Sequence, residues 1–113
     1  MQLLVLVLNK VDCLQAILCG LMKANVTGTT VLDGEGMLQV LGQSSVEPPP
    51  IFGSLRQFLN PGREHGKVLF TVLEQSQVAP VKAIIDKAVG GISNPNTGIM
   101  FTIDLSSVDG LRA

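Results

Sequence analysis

Few side chains in this sequence could catalyse a reaction or hold a metal ion. The 113 residues include two cysteines, Cys13 and Cys19, and one histidine, His65. The cysteines lie six residues apart along a predicted helix, so they face different directions and are not expected to pair. No paired spacing typical of a zinc site is present. We expect both thiols to be buried and structural in a reducing cytoplasm, and His65 to be inert in a solvated loop.

Two short segments carry groups that could bind a ligand or transfer a proton. Asp33 and Glu35 are close together, but a turn at the end of a strand accounts for them. The segment Val89–Gly98 contains Gly90 and Gly91, and its backbone N–H groups could face an anion. A helix end followed by a turn explains the same glycines, and the local sequence favours this second interpretation.

The composition limits the class of protein. Hydrophobic residues make up 46% of the chain and charged residues 15%, with a mean hydropathy of +0.42. Such an apolar chain is not disordered, and 8 Lys and Arg against 9 Asp and Glu argue against a nucleic-acid partner. The length predicts one domain over residues 1–113, and the scarcity of charge predicts that this domain forms an oligomer.

The hydrophobic period gives the order of the secondary structure. The apolar start, Met1 to Leu8, lacks the basic residues of a signal peptide and is too short to cross a bilayer, so a buried strand and a cytoplasmic location are expected. Strands are expected over Leu3–Leu8, Thr27–Leu32, Lys67–Leu73 and Ile99–Leu105, with a turn at residues 33–36 and an extended segment at Met37–Leu41.

Two amphipathic helices separate these strands. The first is expected to begin at Val11, with Asn9 and Asp12 as a capping box, and to end near Asn25. The second carries the apolar stripe Val78, Val81, Ile84, Ile85 and Ala88, with Pro80 in its first turn and Gly90-Gly91 after its end. Two β-α-β units predict a ferredoxin-like α+β domain, with a four-stranded antiparallel sheet and both helices on one face.

The uncovered face and the long connection are the main functional features of this fold. In the predicted strands, the residues that point to either face of the sheet are apolar, as in strands buried on both faces. We therefore expect subunits to pack sheet to sheet. The connection Gly42–Gly66 contains a proline run and then apolar residues at helical spacing, from Ile51 to Leu59. This segment either caps the core with a short helix or presents an apolar hook to a partner protein.

Four short motifs, in this order along nearly the whole chain, resemble those of the PII nitrogen-regulatory signalling family. They are Asn9-Lys10-Val11-Asp12, Gly28-Thr29-Thr30-Val31, Phe58-Leu59 before a Lys-led strand, and Gly98-Ile99-Met100-Phe101 followed by Asp104. The resemblance implies a homotrimer with inward-facing sheets and adenine-nucleotide sites (ATP, ADP or AMP) between subunits. It also implies a regulated partner, a transporter or an enzyme of nitrogen or carbon metabolism, contacted by a T-loop at Met37–Gly66.

The resemblance also assigns site residues. Thr29, Gly90 and Gly91 match positions near the nucleotide, Gln39 is the nearest match to the effector-contacting glutamine, and Arg112 matches the second of two C-terminal arginines. This chain departs from the family at two cationic positions, which are Ile99 and Gly110 here, so a triphosphate would lose two charged contacts. It also contains no tyrosine, which excludes the tyrosine modification of some members.

Two other functions fit the same sequence. A small ferredoxin-like enzyme of the isomerase or monooxygenase type would use an apolar pocket within a dimer, with His65 and Asp104 as its few polar candidates. A structural shell or scaffold subunit would use the apolar, weakly charged composition to assemble into large rings or sheets of many subunits. The mass in solution distinguishes these functions, because a closed trimer would argue against both the enzyme and the shell subunit.

Overall fold

The computed structural model describes residues 1–34 and 66–111 as four strands and two helices. The strands are β1 (Gln2–Leu8), β2 (Thr30–Gly34), β3 (Gly66–Leu73) and β4 (Gly98–Asp104). The helices are α1 (Leu14–Lys23), which follows a 3₁₀ turn at Val11–Cys13, and α2 (Gln75–Val89). In the described part of the chain, no helix is both long and apolar enough to cross a membrane.

The strands form one antiparallel sheet in the order β2-β3-β1-β4. The prediction of an α+β domain with a four-stranded antiparallel sheet is therefore confirmed, and the arrangement is compatible with a ferredoxin-like fold. At one end of the sheet, which we call the tip end, Leu8 pairs with Gly98 and Gly34 pairs with Gly66. At the other, the base end, Gln2 pairs with Leu73 and Asp104. A strand as long as β1 separates the two ends by about 20 Å.

Both helices cover the same face of the sheet. Alternate residues of β1 (Leu4, Leu6 and Leu8) are buried, and they share one core cluster with apolar residues of β3 and of the two helices. Ile17 of α1 and Ile85 of α2 are among its most buried side chains. The alternation follows from the strand period of two, which sends every second side chain toward the helices.

The opposite face of the sheet is apolar, and neither helix covers it. Cross-strand pairing arranges its side chains in three rows, which we call the open face: Leu32–Val68–Val7–Ile99, Thr30–Phe70–Val5–Phe101, and Val72–Leu3–Ile103. Ile99 is 59% exposed, Leu32 51% and Phe101 40%. Only Thr30 carries a polar group, so this face has no charge in any of its rows.

Four local predictions about caps and element boundaries are wrong. Asn9 and Asp12 do not cap α1, because the Asn9 N–H donates to the Thr97 carbonyl and a 3₁₀ turn precedes the helix. Pro80 lies in the second turn of α2, because the helix begins earlier, at Gln75, behind a capping box between Glu74 and Gln77. Asp33 and Gly34 lie in β2 instead of a turn, and β2 begins at Thr30 instead of Thr27.

Other predictions are confirmed or lie outside the described residues. Helix α1 ends as expected, with Asn25 in the left-handed conformation just after it. The extended segment Met37–Leu41 and the segment from Ile51 to Leu59 fall in residues 35–65, which the structure does not describe.

Candidate functional site at the two ends of the sheet

A cleft of about 590 Å³ opens at the base end of the sheet. Its walls are the segment after α1 (Asn25–Gly28), the end of β3 (Thr71–Glu74) and the first turn of α2. Met1 and Leu111 close one side, because the chain runs back past Met1 after β4, where the Leu105 N–H donates to the Met1 carbonyl. The lining combines apolar side chains with hydroxyl and amide groups. Such a combination is suited to a small molecule with an apolar ring.

Thr71 supplies a buried polar group at this cleft. It occupies a core-facing position of β3, between Leu69 and Leu73, and only 4% of its surface is exposed. No side-chain hydrogen bond of Thr71 is found within residues 1–34 and 66–111. Nearby, the Thr29 hydroxyl is buried without a partner in the same described residues. A buried hydroxyl without a partner is costly, so Thr29 is a candidate for a ligand contact. Thr71 is a second candidate because it lines the cleft.

The base cleft is lined by one negative side chain. Glu74 is the one charged side chain among its described lining residues. The first turn of α2 is also occupied, because Glu74 accepts from the Gln77 backbone while the Glu74 N–H donates to Gln77 Oε1 at 2.8 Å. This reciprocal cap occupies the Gln77 N–H, and it places the Glu74 carboxylate where a phosphate would otherwise lie. The base cleft is thus fitted to an uncharged part of a ligand.

The glycine loop (residues 90–97) lies at the tip end and stops α2. Gly90 has φ +75°, its N–H donates to the Lys87 carbonyl, and the Gly91 N–H donates to the Asp86 carbonyl. This pattern is a Schellman motif. The Ile92 N–H donates to Asp86 Oδ1 at 2.8 Å, and Asn94 bonds Gly90 and Gly91. Most early N–H groups of the loop are therefore used internally, which agrees with the helix-end interpretation of its glycines.

Lys10 bridges the two ends of the glycine loop. Its Nζ donates to the Val89 carbonyl at 3.3 Å, just before Gly90, and its backbone N–H donates to the Thr97 carbonyl at 3.2 Å. Among the described residues, Lys10 forms no ion pair with a carboxylate. An exposed ammonium group therefore lies beside this loop.

The structure separates the site residues expected from the sequence. Thr29 lies just before β2, whose first residue pairs with Phe70 in the middle row of the sheet, whereas Gly90 and Gly91 follow α2 at the tip end. Gln39 and Arg112 lie outside the described residues, although Leu111 lines the base cleft immediately before Arg112.

The departures from the family pattern occupy different places. The side chain of Ile99 lies on the open face of the sheet, where Ile99 pairs with Val7. Gly110 has φ +82° and lies next to Leu111 in the segment that reaches the base cleft.

The candidate groups for other chemistry do not converge. Asp104 is exposed at the base end, where it accepts a hydrogen bond from Gln2, and His65 is not among the described residues. Cys13 is partly buried against the core, whereas Cys19 is exposed, so the expectation of two buried thiols is wrong for Cys19. In residues 1–34 and 66–111, no three His, Cys, Asp or Glu side chains are grouped as a metal site would need.

Two features of this site were missed from the sequence. Thr71 could have been identified, because it is a polar residue that lies between Leu69 and Leu73 on one side of its strand. The contact of Lys10 with Val89 joins residues far apart in the chain, and no local pattern signals it.

Comparison with known proteins adds no identification. No protein-family model matches the chain, and no characterised protein matches it either.

Proposed function

We propose that this protein is a PII-like signalling regulator. In this proposal, a homotrimer binds an adenine nucleotide or another small anionic metabolite in clefts between subunits. Binding then changes the loop Met37–Gly66 and its hold on a partner, either a transporter or an enzyme of nitrogen or carbon metabolism. The observation that carries the proposal is the placement of the base cleft and of the two glycines at opposite ends of one sheet.

This placement favours a site shared by two copies of the chain. No single chain brings the base cleft within reach of the glycine loop, because a strand of about 20 Å separates them. A head-to-tail contact would place the base cleft of one copy against the glycine loop of the next. Head-to-tail contacts close into rings when the rotation permits, so one site would form at each interface of a cyclic oligomer.

The open face supplies a surface for such an assembly. Ten of its eleven side chains are apolar, and the helices leave them uncovered. Apolar surface of this kind is worth roughly 25 cal/mol for each Å² that is removed from water, so its burial between copies would favour assembly strongly.

The positions of Gly34 and Gly66 support this role for the loop. Residues 35–65 leave the sheet at Gly34 and return at Gly66, which are paired at the tip end. A Cβ atom on Gly66 would lie 3.1 Å from the Leu8 carbonyl, so the loop returns next to the turn that carries Lys10. A ligand at the tip end would thus lie close to both ends of the loop.

Ligand binding is the direct test of this function. Thermal unfolding and calorimetry with ATP, ADP, AMP and cyclic AMP should show that at least one raises Tm. A ligand at a hundred times its Kd stabilises a protein by about 2.7 kcal/mol, which is several degrees for a chain of this size. If none of the four changes Tm or releases heat, the nucleotide part of the proposal is wrong.

A further inference from the structure

We propose that Lys10 supplies the cationic contact to the anionic part of the ligand, in place of the backbone N–H groups of the glycine loop. This inference rests on the proposed function and specifies how its site holds charge. It joins three observations: the position of Lys10, the internal bonding of the loop, and the charge of the base cleft.

Lys10 is held in position by the loop itself. Its side chain and its backbone bond to Val89 and Thr97, at the two ends of the glycine loop. An ammonium group has three N–H donors, and the Val89 carbonyl takes one of them. The remaining donors can therefore face an anion without disturbing the bond that fixes the side chain.

The backbone of the loop is a poor alternative. The N–H groups of Gly90, Gly91, Ile92 and Asn94 already donate to acceptors within the loop or in α2. To hold a phosphate with these groups, the chain would have to break the Schellman motif and the Asp86 contact. A charge-assisted bond from an ammonium group already in place requires no such change.

The other described lysines are less suited to this role. Lys67 pairs with Asp33 across two strands. Lys23 and Lys87 line the groove between the two helices, and Lys82 is exposed on α2. The base cleft, which a neighbouring copy would bring to the tip end, has Glu74 as its charged lining residue. Of the described cations, Lys10 is thus the one beside the glycine loop without a carboxylate partner.

The test compares Lys10→Gln, Lys10→Arg and Lys87→Gln by titration with ATP and with inorganic pyrophosphate. We expect Lys10→Gln to weaken the binding of both by roughly tenfold or more, since it removes a charge-assisted bond. Lys10→Arg should keep most of the affinity, because it keeps the charge. Lys87→Gln is the control: it removes a lysine from the last turn of α2, the helix whose Val89 carbonyl Lys10 contacts, and it should leave the affinity unchanged.

The outcomes separate this inference from the function on which it rests. If the unaltered protein binds ATP and Lys10→Gln binds it equally well, the assignment of Lys10 is wrong and the proposed function stands. If Lys10→Gln only lowers Tm, with the same ligand affinity, Lys10 is merely a cap for α2 and the assignment is again wrong. If the unaltered protein binds neither ligand, the assignment of Lys10 and the nucleotide part of the proposed function both fail.

Discussion

Replacement of Phe101 by glutamate should convert the proposed oligomer into single chains. Phe101 lies in the middle row of the open face, opposite Val5, and 40% of its surface is exposed in the isolated chain. Burying an unpaired carboxylate costs several kcal/mol, and this cost recurs wherever the face is covered. We therefore expect dissociation to become at least about a hundredfold more favourable, as measured by sedimentation equilibrium.

The control places the same charge elsewhere. Met22→Glu alters a side chain of α1 that is 61% exposed and lies on neither face of the sheet. This variant should keep the native mass. The single chain of Phe101→Glu should still fold, because Phe101 is not part of the buried core. A Phe101→Glu protein that keeps the mass of the unaltered oligomer would show that the open face is not its interface.

Replacement of Gly98 by alanine should destabilise the fold itself. Gly98 begins β4 with φ +150°, and a Cβ atom there would lie 2.3 Å from the Val7 carbonyl oxygen. The obstacle is backbone in a central strand, so it cannot move aside without disturbing the pairing of β1. Together with the strained φ, this overlap should lower the free energy of unfolding by about 3 kcal/mol or more, measured by urea denaturation.

Gly28→Ala is the matched control for this substitution. No atom lies within 4 Å of the position that its Cβ would occupy. Its unfolding free energy should stay within about 1 kcal/mol of the unaltered value, or rise slightly because alanine restricts the unfolded chain. Equal stability of the Gly98→Ala and Gly28→Ala proteins would contradict the close approach of β4 to β1.

The sequence predicts the elements of this fold well because hydrophobic period and strand length both depend on local residues. The apolar run of β1 and the stripe of α2 leave little choice of structure, and Gly90 ends α2 where expected. The boundaries are less predictable where distant residues compete. The Asn9 N–H bonds Thr97 and so does not begin a helix, and Lys67 holds Asp33 in β2, where a turn was expected.

The candidate site is predictable in part only, because its residues belong to different ends of the sheet. The glycines at positions 90 and 91 are visible in the sequence, but whether their N–H groups are free depends on Asp86 and Asn94. Likewise, the sequence shows Lys10 but not its bond to the end of α2. Tertiary contacts decide both points.

The most direct test of a site shared between copies uses two variants with defects at opposite ends. Gly28→Trp fills the base cleft, where the residue has open space, and Lys10→Glu reverses a charge beside the glycine loop. Each variant alone should fail to bind ATP. After unfolding and refolding together in equal amounts, about one quarter of the sites should join an intact base to an intact tip, because each half is intact in half of the subunits. Recovery of about a quarter of the binding capacity is the predicted result, and no recovery would contradict a site formed head to tail between copies.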